Sequence, residues 1–280
     1  MNYIGNITKM NAEIVNGLVD YNLPIGNKLI HMNPLIGKTL TLNFDKTINC
    51  IHCNAQTEKS YKSGYCKSCS ETLAQCDTCK TKPETCAFSQ GNCRDESWGL
   101  ANCFDSHLVY LSFTGSAKVG ITRHSSDLVS SRWLDQGATS ALPFLMVNNR
   151  LLSGLVETII KQHISDGTNW RKMLAHVDDN LTMRKTADSI KILIADEINA
   201  LQEEHGLLAV QWIDNSITQH IHYPVNENGY PLKVKSINLD KEPQFTGKLQ
   251  GIKGQYLIFD NDMVINMRKY TGYNLNISYI

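Results

Sequence analysis

Nine cysteines are the residues of this chain most able to do chemistry, and they are crowded: eight lie between Cys50 and Cys93, and the ninth is Cys103. Cys50-x2-Cys53, then twelve residues, then Cys66-x2-Cys69 is the spacing of a zinc ribbon. Each C-x2-C turn presents two thiolates, and two such turns complete a tetrahedral S4 site around one metal. A second group, Cys76, Cys79, Cys86 and Cys93, suggests another zinc, with Cys103 and His107 as rival ligands for its last positions. Four thiolates leave no open coordination position, so both sites read as structural. Between Cys50 and Cys103 aliphatic residues are scarce, and metal binding would supply the folding free energy that a core cannot.

The next chemistry-bearing residues are Tyr110, Lys118, Arg132 and Glu157. Val109-Tyr110-Leu111, then Lys118-Val119-Gly120, resembles the paired strands of the GIY-YIG nuclease superfamily, in the variant whose second motif reads Lys-Ile-Gly. Arg132 stands where that family keeps a helix arginine, Glu157 where it keeps a metal-binding glutamate, and Asn169 resembles a later polar residue of its pattern. The family's histidine four residues after the arginine is Gln136 here, and Lys118 replaces its tyrosine. The resemblance implies an α/β domain that hydrolyses phosphodiesters. Such chemistry needs an activated water, a divalent cation and a cation on the phosphate. Tyr110 would serve as base or hold the water, and Glu157 would anchor Mg2+ or Mn2+. Arg132 would fork onto phosphate oxygens, Lys118 would lower the water's pKa or bind phosphate, and Gly120 and Arg123 would support them. The same residues also read as an ordinary strand tyrosine, solvated charges and an ion pair.

Longer strings resemble a bacterial family known only as a domain of unknown function, DUF2797. They are CRDESWGLANC (Cys93 to Cys103), KVGITR (Lys118 to Arg123), RWLDQGA (Arg132 to Ala138), SGLVE (Ser153 to Glu157), TNWR (Thr168 to Arg171) and GIKGQYLIF (Gly251 to Phe259). That resemblance implies one shared architecture and no established activity.

The elements that must position these residues follow from periodicity. Thr39 to Phe44 alternates as a strand, Leu108 to Phe113 and Ala117 to Thr122 read as a hairpin, and Ala141 to Val147 is a third central strand. Ser125 to Gln136 is weakly helical. Arg150 to Ile164 and Ala187 to Glu204 are amphipathic helices, the latter ended by Gly206. Strand signals return in Leu232 to Leu239, Phe245 to Ile252, Gln255 to Phe259 and Met263 to Met267. The expected fold class is α+β: a terminal segment 1–49, a zinc module 50–104, a GIY-YIG-like domain 105–208 and a β domain 209–280, with the two β-rich ends packing together. Lys253, Arg268 and Lys269, set among tyrosines, are candidate contacts to single-stranded nucleic acid; they also read as part of a glycine-rich sheet corner.

Composition bounds the function. With 27 basic against 27 acidic residues the chain is formally neutral, which excludes a strongly cationic nucleic-acid coat but not a local patch. With 42% hydrophobic residues it can pack a core. No secretory signal and no membrane-length apolar run is visible, so a cytoplasmic protein without a membrane partner is expected. In that reducing compartment clustered cysteines favour metal over disulfides. The leading expectation is a metal-dependent nuclease acting on DNA or RNA. The alternatives are a non-catalytic zinc-ribbon nucleic-acid binder and a protein-interaction module.

Overall fold

The structure, a computed structural model, describes residues 1–125, 129–175 and 182–280. Sheets and helices are mixed along the chain. The largest sheet runs in the order Asn2–Asn6, Tyr273–Tyr279, Thr39–Ile48, Gln244–Lys253, Tyr256–Phe259, Met263–Asn266 and Lys235–Ser236. Strands from both ends of the sequence therefore share one sheet. Tyr273–Tyr279 lies between Asn2–Asn6 and Thr39–Ile48, antiparallel to each. Alternation along Thr39–Ile48 explains the placement: Leu40, Leu42, Phe44 and Ile48 are buried. A smaller meander, Asn11–Val15, Leu18–Ile25 and Lys28–His31, packs beside it. Of Leu232 to Leu239, only Lys235–Ser236 forms a strand.

The central sheet is antiparallel. His107–Phe113 pairs with Ala117–Arg123 on one side and Ser140–Val147 on the other. Val210–Trp212 and Gln219–His220 also pair with Ser140–Val147, so these residues extend the central sheet rather than the terminal one. One face is covered by the helix Arg150–Ile160, which buries Leu152, Val156 and Ile160, and by Met183–Leu193. The helix expected over Ala187 to Glu204 is two helices, Met183–Leu193 and Ala195–His205, because the buried Ile194 leaves helical geometry at φ −112° and ψ 13°. The weakly helical Ser125 to Gln136 is a helix only over Ser131–Gln136, capped by Ser130; residues 126–128 lie outside the described set.

The other face of the central sheet meets the terminal sheet. Tyr110, Trp133, Leu134 and Ala141 join one apolar cluster with Leu249, Leu257, Phe259 and Tyr270. Residues 49–106 contribute nothing to any apolar cluster among the described residues. That cysteine-rich segment consists of two short helices, Lys67–Thr72 and Glu96–Cys103, and four single 3-10 turns.

Candidate functional site

A cleft of about 570 Å3 opens where the central hairpin, the helix Arg150–Ile160 and the cysteine segment meet. Its walls hold Lys118, Gly120, Arg123, Arg132, Gln136 and Glu157. The hairpin supplies Lys118 and Gly120. Arg132 and Gln136 sit one turn apart on the short helix Ser131–Gln136, and Glu157 faces in from the long helix. The cleft brings in further residues that sequence reasoning missed, Lys80, Arg150, Lys161 and Asp166, and adds Arg268, expected as a nucleic-acid contact, from the 3-10 turn Met267–Tyr270. Seven cationic side chains thus face two carboxylates in a formally neutral chain.

Tyr110 stands behind the wall. It is buried, stacks edge-on against Trp133 with ring centroids 5.5 Å apart, and its O–H donates to Gln136 Oε1 at 3.1 Å. Burial pushes the phenol up to about 12, against the pull of the Arg132 guanidinium beside it. It is therefore protonated at neutral pH and unsuited to act as a base.

Lys118 is only 3% exposed, and its Nζ donates to Thr168 Oγ1 at 3.2 Å. Burial, helped by Arg132, brings its ammonium down to about 8. Burial raises the Glu157 carboxyl, while Lys161 at 3.7 Å draws it down. Lys161 also pairs with Asp166 at 3.0 Å. Among the described residues Lys80, Lys118, Arg132 and Arg150 form no ion pair, so four cleft cations have no carboxylate partner.

Arg150 ties the cleft to the cysteine segment. Its guanidinium donates to the carbonyls of Cys79 and Lys80. His107, a rival zinc ligand on sequence grounds, lines this cleft instead. Its Nδ1 lies 2.8 Å from the Asp105 carbonyl, and its buried Nε2 has no partner. Burial pushes the imidazole down to about 4, so the ring is neutral, with Nδ1–H donating and Nε2 a free acceptor.

Arg132 is held in place through Asp135 on its own helix. The Asp135 carboxylate takes Lys9 at 2.6 Å, Gln255 Nε2 at 2.9 Å and Arg268 at 3.7 Å. Gln255 in turn bonds both backbone groups of Met10.

Asn169, expected in a supporting role, and Lys253 and Lys269, expected as nucleic-acid contacts, have partners of their own. Asn169 caps the helix Trp170–Leu174, accepting from the N–H groups of Arg171 and Lys172. Lys253 is 4% exposed and lies over the rings of Tyr223 and Tyr230, out of reach of a strand on the surface. Lys269 is exposed but turned to Asp240 at 3.4 Å. Of the three C-terminal cations, only Arg268 enters the cleft.

The metal centre is separate. The sulfurs of Cys50, Cys53, Cys66 and Cys69 lie within 4.8 Å of one another, with Cys53 and Cys66 at 3.8 Å. A tetrahedron with metal–sulfur bonds of about 2.3 Å has edges of about 3.8 Å, so the set fits zinc. Backbone N–H groups of Cys53, Cys66 and His52 outweigh burial and bring the Cys50 thiol down to about 6. Burial and three neighbouring sulfurs hold Cys69 well above its ordinary value, as expected of four thiols that need a dication to ionise together. These four cysteines could hold a metal such as zinc. The second expected set, Cys76, Cys79, Cys86 and Cys93, does not line one pocket: Cys76 faces a different cleft, with Lys62 and Tyr65.

Fold and site together define a mixed helix-and-sheet protein with a four-cysteine cluster able to bind metal. Residues 37–275 match the family described as "Protein of unknown function (DUF2797)", and the chain belongs to that family. No curated protein and no solved structure matches it. Among the described residues no helix is long and apolar enough to cross a membrane.

Proposed function

We propose that the cleft binds a phosphodiester of DNA or RNA and hydrolyses it with the help of a divalent cation. The observation that carries this reading is the gathering of Lys118, Arg132 and Glu157 on one cleft, with Tyr110 hydrogen-bonded behind it. The order of hairpin, arginine helix, strand and glutamate helix is that of a GIY-YIG-like domain and adds support.

Glu157 would hold Mg2+ or Mn2+. One carboxylate suits an ion that takes the rest of its ligands from water and substrate phosphate. Bound there, the ion would offset charge building on the phosphate oxygens. Arg132 and Arg150 donate to the non-bridging oxygens and orient the phosphorus. Lys118, about one-tenth unprotonated at pH 7, accepts the proton of the attacking water as its oxygen bonds to phosphorus. The bond to the leaving oxygen breaks, and that oxygen is protonated from solvent. Tyr110 fixes Gln136 and so shapes the wall beside Arg132 rather than moving a proton. A reducing cytoplasm would keep the cysteines available for zinc.

The test is cleavage of DNA and RNA panels with Mg2+ and with Mn2+. Wild type should cut at least one substrate, and Glu157→Ala should not. Equal background from both on every substrate would end the catalytic reading. The Tyr110 hydroxyl, committed to Gln136, favours a second reading, nucleic-acid binding without cleavage. Salt-sensitive binding that survives Glu157→Ala, with no cleavage, would establish it.

A further inference from the structure

Cys79, Cys86, Cys93 and Cys103 line one small cavity of about 60 Å3. Each arrives on a different local element. Cys79 lies in the 3-10 turn Thr78–Lys80, Cys86 ends the turn Pro83–Thr85, and Cys103 ends the helix Glu96–Cys103. Cys93 follows the left-handed Gly91. Gly99 stands one helical turn before Cys103, on the same face. A Cβ there would meet the Phe88 ring at 2.9 Å and Cys93 Sγ at 3.1 Å, so glycine is what lets this helix approach the cavity.

We infer that these four cysteines form a second all-sulfur zinc site, distinct from the ribbon, and that this site builds the wall of the cleft. Three observations carry it. The first is that four cysteines line one cavity in a segment that contributes nothing to the apolar clusters of the described residues. The second is charge: an S4 site carries two net negative charges, and two cations adjoin Cys79, Lys80 as its chain neighbour and Arg150 through a bond to its carbonyl. The third is connectivity. The carbonyls of Cys79 and Lys80 receive Arg150, so the knuckle that holds metal also holds a cleft arginine.

Among the described residues only the Cys50 cluster brings three or more such ligand atoms within 4.8 Å. Zinc must therefore draw the second set closer together within the cavity they already line. Cys76 is excluded: it is buried beside Lys62 and Tyr65, and its carbonyl accepts Lys62 Nζ at 2.6 Å. His107 is excluded because it lies in the other cleft.

The test is zinc content per chain by elemental analysis under reducing conditions, with X-ray absorption at the zinc edge. Full-length wild type should carry two zincs in an average all-sulfur shell, a reading that needs no variant to fold. Cys103→Ser should carry one, and Cys76→Ser two. A wild type with one zinc, a nitrogen ligand in the average shell, or a Cys103→Ser protein that keeps two zincs would each overturn the assignment.

Discussion

The phenol of Tyr110 lies across Gly120 of the neighbouring strand. The two residues are direct cross-strand partners, and a Cβ at Gly120 would sit 2.6 Å from the Tyr110 oxygen. Glycine in a strand often marks such a close approach. Here it lets a buried tyrosine reach past the sheet to Gln136 at the cleft.

Gly120→Ala is therefore expected to displace the Tyr110 ring and cost about 1–3 kcal/mol of stability through overpacking. Thermal unfolding measures the cost. Tyr110→Phe keeps the ring and loses the hydroxyl's contacts with Gln136 and Arg132, so it should cost roughly 0.5–1.5 kcal/mol. If Gly120→Ala is neutral, the contact is not as tight as the geometry says.

Lys118 sets a pH signature. Its folded value of about 8 lies below that of an unfolded lysine, so the fold binds this proton less readily than the unfolded chain does. The stability it leaves intact is fully present above the unfolded value and falls as pH drops from there towards 8, below which the penalty is constant. Lys118→Met should remove that slope and stabilise the fold by on the order of 2–3 kcal/mol at neutral pH. The same substitution should abolish turnover. If Lys118 is the base, kcat/KM should climb with pH and level off above about 8. A rate that falls over that range would make Lys118 a phosphate contact instead.

Gly154 sits inside the helix that carries Glu157, where glycine costs about 1 kcal/mol relative to alanine. The structure explains it: a Cβ would lie 2.4 Å from the backbone nitrogen of Glu84 and 2.8 Å from Pro83. Gly154→Ala should thus destabilise despite its better helix propensity, by pushing the cysteine segment off the helix. Limited proteolysis should show faster cutting between Cys76 and Cys103 in this variant. Unchanged cutting with higher stability would show that the segment yields freely.

Arg132 and Arg150 should each account for about one released counterion. Replacing either by Ala should weaken oligonucleotide binding and lower the slope of log K against log salt by about 0.7–0.9. Lys269→Ala, which removes a side chain outside the cleft, should leave the slope unchanged. Equal slopes for all three variants would place the nucleic acid elsewhere.

Much of this site was legible in the chain, and the reasons differ residue by residue. The hairpin carrying Tyr110 and Lys118 announces itself by an apolar run, a turn and a second run. The first cysteine set has a spacing set by tetrahedral geometry. Arg150 and Glu157 are seven residues apart, two helical turns, so helical spacing alone places them on one face. Lys80 and Arg268 were not readable as cleft residues, since only tertiary packing brings a cysteine turn and a 3-10 turn of the terminal sheet to the hairpin. The Asp135–Gln255 bond shows why: it joins RWLDQGA to GIKGQYLIF, strings 120 residues apart, and no local pattern encodes the contact. Lys253 misled because its glycine and tyrosine neighbours suit a binding surface and a buried sheet corner equally well.

The terminal sheet also sets a timetable. Asn2–Asn6 finds its only strand neighbour among the described residues in Tyr273–Tyr279, through pairs such as Asn6 with Asn274. At about 5–20 residues per second, a ribosome needs roughly 15–50 s to make the intervening chain. Until that interval ends Tyr110 and Trp133 lack the strands that bury them, whereas the last cysteine, Cys103, is made when little more than a third of it has passed. Metal capture can thus precede closure of the sheet, and the cleft cannot take its final shape until synthesis has passed the strand that joins the two ends.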